Sequence, residues 1–363
     1  MKITIIGGAR PNFMKIAPII HCLQQSQKTQ NNLSFRLIHT GQHYDTKMSG
    51  TFFEELNIPE PDVNLGVGSG TQAEQTANIM IAFEKELLCN PTDLVIVVGD
   101  VNSTMACSIV AKKLNTKVAH VEGGIRSYDL SMPEEINRMV TDSISDYFFT
   151  TSLTASENLL KLGIDSNRIY FVGNTMIDTL LTNEHRLVAP SVYTDLGLKD
   201  RNYIVLTLHR PANVDDRESL KALMTEIIDN VGDMPIIFPI HPRTQKIYQE
   251  LGIQSTNLHI IDPLGYLEFN YLVKHAKAVI TDSGGITEES TVLGVPCLTL
   301  RNNTERPETC TIGTNELVGT DPKNLKTYLN KLFLGKWKKG NIPELWDGHA
   351  ADRIVDCILK ITL

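Results

Sequence analysis

The chain has 363 residues, 42% of them hydrophobic and 21% charged, which suits two ordinary globular domains. A formal net charge of −8 excludes a general nucleic-acid or anionic-membrane binder and leaves room only for a local basic pocket. No apolar run approaches membrane-spanning length, and six scattered cysteines without a CxxC pair exclude the usual zinc and disulfide frameworks.

The opening MKITIIGGARP reads as a first strand entering a glycine turn, not as a signal peptide. With free cysteines, this makes the cytoplasm the expected compartment. Strand and helix then alternate. Strands are predicted at 2–6, 34–40, 94–98, 117–121, 147–150 and 169–172, and helices at 16–25, 52–56, 72–88, 102–114, 134–145 and 153–162. The run Leu94–Val98 is apolar throughout, as a parallel strand covered on both faces requires. A second series follows, with strands at 203–208, 236–240, 258–261, 278–280 and 295–300 and helices at 217–231, 266–275, 287–293 and 324–334. The stretch 188–200, with Pro190 and little periodicity, reads as a linker. The expected fold is α/β, two Rossmann-like doubly wound domains facing a central cleft. They are placed at 1–172 and 173–363, the final helix 350–361 packing back on the first.

Chemistry is expected at the carboxyl ends of strands. The first turn carries Gly7-Gly8, Arg10 and Lys15, which read either as a phosphate contact or as a solvated basic helix start. It is not GxGxxG, and no Walker motif exists in the chain, so nicotinamide and ATP sites of the common types lose support. Asp100 ends a central strand and is either an active-site acid or a helix N-cap. Glu122 ends the next strand before Gly123-Gly124. Glu134 and Glu135 open a helix after Pro133, where acids also complement the helix dipole. Grouped carboxylates supply what proton abstraction and return need, two acid/base groups of separated pKa. In the second half, His209-Arg210 and then His241 and Arg243 follow successive strands, and Arg301, Glu305 and Arg306 follow the last. The turn Ser283-Gly284-Gly285 would present backbone amides to an anion, with Glu288 and Glu289 expected in the first helical turn beyond it.

In order, GGARPNFMKIAP, HTGQHYD, GDVNST, HVEGGIRS, MPEEINR, GNTMID, LHRPANVD, HPR, TDSGGITEES and RNNTERPE resemble the motifs of UDP-N-acetylglucosamine 2-epimerases over nearly the whole chain. The resemblance implies a glycosyltransferase-B-like fold, a UDP-sugar substrate, no metal, no nicotinamide or other cofactor, and a homodimer. It implies inversion at carbon 2 by elimination of UDP and re-addition. Asp100, Glu122 and Glu134 match the acidic catalytic group, and His209 the histidine at the diphosphate. Arg10 and Lys15 match phosphate contacts. Ser283, Gly284 and Gly285 match the diphosphate turn, Glu289 the ribose carboxylate and Arg306 a cation near the nucleotide. Tyr266 and Phe269 fall in the segment that lines the uracil pocket. The chain departs from the pattern at Asn12, Ala212 and Tyr44, and only Thr71-Gln72 approaches the Arg-Gln pair of a second, activating substrate site. The HYD…MS version of the stretch GQHYDTKMS also resembles members acting on other UDP-2-acetamido sugars, including a 2,3-diacetamido uronic acid.

Overall fold

The computed structural model describes residues 1–30, 32–41, 53–240 and 242–361. The chain forms two compact units, Met1–Thr182 with Glu344–Leu363, and Asn183–Pro343.

The first unit is a 7-stranded parallel sheet of order β3-β2-β1-β4-β5-β6-β7. Its strands are β1 Lys2–Gly7, β2 Ser34–His39, β3 Val63–Asn64, β4 Leu94–Val98, β5 Lys117–Val121, β6 Tyr147–Thr150 and β7 Ile169–Phe171. The helices are α1 Arg10–Thr29, α2 Gln72–Cys89, α3 Asn102–Lys113, α4 Pro133–Ile144, α5 Leu153–Lys161 and α6 Thr175–Asn183. Every residue of β4 is buried, because helices cover both faces of a central parallel strand. Val95 and Val97 pack with Ile79, Phe83, Ala106 and Val110 of α2 and α3. Each of these side chains except Ala106 contributes roughly 1.5–3 kcal/mol by leaving water.

α1 starts at Arg10, well before the predicted 16. Pro11 suits a first helical turn, and the buried Asn12 side chain accepts from the Gly8 and Ala9 amides at 3.2 and 3.1 Å. Asn12 Nδ2 also donates to Val98 O at 2.9 Å, tying the β1 turn to the end of β4. α2 opens on a capping box, the Glu74 amide donating to Thr71 Oγ1 at 3.2 Å and the Thr71 amide to Glu74 Oε2 at 3.0 Å.

The second unit repeats the topology in 6 strands, β10-β9-β8-β11-β12-β13. These are β8 Ile204–Thr207, β9 Ile236–Pro239, β10 Leu258–Ile261, β11 Ala278–Thr281, β12 Cys297–Thr299 and β13 Asn315–Leu317. α7 Ser191–Asp195 lies in the stretch expected to be a linker. There follow α8 Pro211–Val214, α9 Arg217–Val231, α10 Pro242–Glu250, α11 Tyr266–His275, α12 Gly284–Val292, α13 Pro307–Thr311 and α14 Lys323–Phe333. α12 begins three residues before the predicted 287, so Ser283 is its N-cap and Glu288 and Glu289 fall beyond the first turn. The last helix, α15 Ala350–Lys360, packs on α1 in the first unit. The Ala350 and Ala351 amides at its start donate to the buried Asp178 carboxylate of α6 at 3.1 and 2.6 Å.

Candidate active site

In each unit the strand order reverses beside the first strand, between β1 and β4 and between β8 and β11. Loops leaving two neighbouring parallel strands to opposite faces open a crevice there. Asp100 follows β4, Glu122 follows β5, His209 follows β8 by one residue, and Asp282 follows β11.

In the first unit Lys15 of α1 reaches Glu122 Oε2 at 2.6 Å, with both side chains largely removed from water. Glu122 has φ 68°, the left-handed region, which costs a non-glycine residue of the order of 1–2 kcal/mol and is a mark of functional sites. Gly99, at φ 69°, leaves the space in front of this pair open. A Cβ there would stand 3.5 Å from Lys15 Nζ and 3.9 Å from Glu122 Oε2. Asp100 is 31% exposed at its side chain and meets Arg138 Nη1 at 2.5 Å. Arg138 also holds Glu135 at 2.9 Å, and Glu135 accepts from the Ser127 and Tyr128 amides at 3.0 Å. Burial pushes the Glu135 pKa up, but the amides and Arg138 outweigh it and hold it below the usual range. The adjacent glutamates of α4 are therefore unequal. Glu135 is buried and committed to the loop, while Glu134 is half-buried on the first turn.

Behind this set lies a buried group that the sequence did not disclose. His120 Nδ1 meets Asp142 Oδ1 at 2.7 Å, and its Nε2 meets Gly99 O at 2.8 Å. Asp142 also binds Arg126 at 2.6 Å and the Gly124 amide at 3.0 Å. Burial alone would raise the Asp142 pKa; His120 and Arg126 overcome it and lower it. The group ties the loop before Asp100 to the loop after Glu122. Among sequence signals, Arg138 and Asp142 stand one and two turns beyond Glu134-Glu135 on the same helix, which offers them as partners without showing what they hold.

In the second unit the His209 ring contacts the Asp282 carboxylate. The Ser283 amide is taken by Thr281 Oγ1 at 3.0 Å, so the amides available at this helix start are those of α12 itself, from Gly284 on. A Cβ at Gly284 would lie 2.7 Å from Glu305 Oε1, so the Glu305 side chain would have to shift to admit one. Glu305 is paired in turn with Arg301 at 2.5 Å and approached by Arg210 at 4.0 Å. Glu289 is buried and accepts from Tyr266 Oη at 2.9 Å and Asn270 Nδ2 at 3.4 Å. Burial raises its pKa to about 7 against those donors, with Glu288 adding to the rise. Tyr266 is thus placed against Glu289. Phe269 packs partly buried against the core cluster that includes Leu272 and Val273. Arg306 is buried and forms an ion pair with Glu288.

His241 lies outside the described residues, as do the side chains of Arg10 and Arg243 and all of the Gln42–Tyr44 motif. Among the described residues no cluster of His, Cys, Asp and Glu is arranged to hold a metal ion. No helix there is long and apolar enough to cross a membrane.

Residues 25–359 match the family model described as UDP-N-acetylglucosamine 2-epimerase. The UDP-N-acetylglucosamine 2-epimerase of Methanocaldococcus jannaschii is 44% identical, over 98% of each chain. A crystal structure of the M. jannaschii enzyme in complex with UDP-GlcNAc and UDP superposes with a TM-score of 0.88 at 43% identity, covering 99% of this chain and 100% of that one. The UDP-2,3-diacetamido-2,3-dideoxy-D-glucuronate 2-epimerase of Pseudomonas aeruginosa is 37% identical, over 99% of this chain and 100% of that one. Two doubly wound parallel sheets, acids at the strand ends of one and a glycine-led helix start in the other therefore have a family: the chain belongs to the UDP-N-acetylglucosamine 2-epimerases, which are isomerases.

Proposed function

We propose that the chain interconverts UDP-GlcNAc and UDP-ManNAc without hydrolysis. A carboxylate takes the proton from carbon 2, and the electron pair of that C–H bond forms the double bond of 2-acetamidoglucal. The bond from carbon 1 to the diphosphate oxygen breaks on the opposite face, its electrons leaving with UDP. Re-addition of UDP, with a proton delivered to the other face of carbon 2, completes the inversion. Carbon 2 is neither oxidised nor reduced overall, so the reaction calls for no redox cofactor.

The observation that carries this reading is the acidic set of the first unit, Glu122 against Lys15, Asp100 against Arg138, and Glu134 on the first turn of α4, the helix that carries Arg138. One group must remove a proton and another return it, and these carboxylates sit in unlike surroundings. The second unit supplies the nucleotide contacts: Ser283, Gly284 and Gly285 for the diphosphate, Glu289 for the ribose diol, His209 for the leaving group, with Tyr266 and Phe269 toward the base. Arg10, Lys15, His241, Arg243 and Arg306 add the positive charge that a departing diphosphate requires. The reading includes a cytoplasmic homodimer, for which the exposed apolar side chains Tyr128, Leu130, Ile136 and Met139 offer a surface. The P. aeruginosa relative favours one second reading, a 2-epimerase of another UDP-2-acetamido sugar.

Proton NMR with UDP-GlcNAc in deuterated water tests the proposal. UDP-ManNAc deuterated at carbon 2 is expected, with no acceptor required, which would set aside a glycosyltransferase on this fold. In Glu122→Gln, exchange at carbon 2 should vanish while calorimetric UDP binding survives. Accumulating free ManNAc would show a hydrolysing enzyme instead, and exchange confined to a diacetamido uronic acid would move the substrate to the second reading.

A further inference from the structure

Asp282 is a strand-end carboxylate with no solvent exposure, and its environment is made almost wholly of donors from the neighbouring strand's loop. The His209 amide lies 3.2 and 3.1 Å from its two oxygens, and the Arg210 amide 2.9 Å from Oδ2. Asn213 Nδ2, itself fixed to Leu300 O at 3.1 Å, donates at 3.0 Å. These bonds fix the plane of the carboxylate. The remaining contact is to the His209 ring, Nδ1 to Oδ1 at 2.7 Å. The other charges nearby are Arg210, whose Nε donates to the Asp282 carbonyl at 2.9 Å, and beyond it Glu305 and Arg301. The His209 side chain is 55% exposed although its Nδ1 edge is held against a buried group.

We propose that Asp282 is the positioning residue for His209: it fixes the Nδ1–H form of the ring and thereby turns Nε2 outward as the atom that meets the ligand. A carboxylate can only accept, so the Nδ1 facing it must carry hydrogen. Nε2 is then the one ring nitrogen left, an acceptor when the ring is neutral and a donor when it is protonated. Resting on the reading of His209 as the group at the diphosphate, this means that Asp282 aims Nε2, a donor when the ring is protonated, at the oxygen on which negative charge develops as the bond to carbon 1 breaks. Asp282 touches neither substrate nor reacting atoms; it acts through the ring.

The test is a double-mutant cycle with a spectroscopic companion. Asp282→Asn keeps an acceptor oxygen for the backbone amides but loses the charge that fixes the ring. It should lower kcat for UDP-GlcNAc by roughly ten- to hundredfold while KM moves less than about threefold. Combined with His209→Ala, the same change should cost less than about threefold, since there is no ring left to orient. An equal loss in both backgrounds would overturn the proposal, assigning Asp282 to loop structure alone. Long-range nitrogen–proton spectra of the histidine rings in the wild-type protein need neither turnover nor a folded variant. They should show His209 protonated at Nδ1, and an Nε2–H neutral tautomer would refute the assignment. Wild-type protein inactive on UDP-GlcNAc but carrying the Nδ1–H signal would count against the proposed function and not against this pairing.

Discussion

Glu289 offers a prediction whose sign is unusual for an acid. Its carboxyl is 3% exposed, receives Tyr266 Oη and Asn270 Nδ2, and has a pKa raised from 4.5 to about 7, burial being the largest cause. The folded protein therefore holds this proton more tightly than the unfolded chain does. Its contribution to stability is fully present below pH 4.5 and is lost as pH rises toward 7. The lift from 4.5 to about 7 is worth at most ~3 kcal/mol. Glu289→Gln keeps an acceptor for both donors and cannot ionise. It should match wild type near pH 4.5 and exceed it at pH 8 by up to that ~3 kcal/mol, read as the difference between urea midpoints at each pH. Ligand affinity should move the other way. If the ribose hydroxyls donate to the ionised carboxylate, binding at pH 6 must first remove the proton, weakening affinity about tenfold relative to pH 8. UDP-GlcNAc suits the measurement because both of its phosphates are esterified and fixed in charge over this range, and a Glu122→Gln background would suppress turnover during calorimetry. In Glu289→Gln this pH dependence should disappear and affinity should fall at every pH. A variant with wild-type stability at pH 8, or one that binds UDP-GlcNAc as tightly as its parent, would refute the argument.

Two structural predictions stand apart from the chemistry. Asp178→Ala removes the carboxylate that accepts from Ala350 and Ala351 at the start of α15, and should cost about 2 kcal/mol. Hydrogen exchange across residues 350–360 would then accelerate by roughly thirtyfold, and unchanged exchange would show that α15 is held by its apolar face alone. Gly124→Ala would place a Cβ 2.2 Å from the Ala155 carbonyl oxygen at φ 81°, so backbone of α5 must move. A loss of about 3 kcal/mol or more in denaturant unfolding is expected, and near-neutral stability would mean that this loop is far more compliant than its packing implies.

The regular part of the fold was legible because apolar runs and turn residues are local signals. β4, β5, β6 and β10, and helices α9 and α11, lie where pattern alone placed them. The edge strands Val63–Asn64 and Asn315–Leu317 escaped because they are short and partly polar, and pairing with one neighbour defines them. The early start of α12 escaped because two glycines argue against a helix, whereas tertiary contact holds them in one. At the candidate site the reach of sequence was similar. A polar residue directly after an apolar strand can be placed at the carboxyl edge of a sheet, which located Asp100, Glu122 and His209. What each one touches could not be read, because Arg138, Asp142 and Glu288 act across elements and leave no periodic trace. Glu288, next to Glu289 on α12, faces a different partner, Arg306, as adjacent helical positions do.

The two sheets share one strand order, and Asp100 and Asp282 both lie just beyond the strand across the reversal from their unit's first strand, Asp282 directly after β11 and Asp100 one residue further on after β4. Their surroundings differ in a way that decides their use. Asp282 is sealed off by two backbone amides, an asparagine and a histidine ring, and its pKa is lowered despite burial, so it serves as a fixed charge. Asp100 keeps 31% of its side chain exposed and has an arginine on one side. A carboxylate that must exchange protons needs access, and one that must orient a neighbour needs the opposite. The Rossmann-like topology brings an acid to the same strand end in both units; the donors contributed by the adjacent loop determine whether that acid is an anchor or remains open to a ligand.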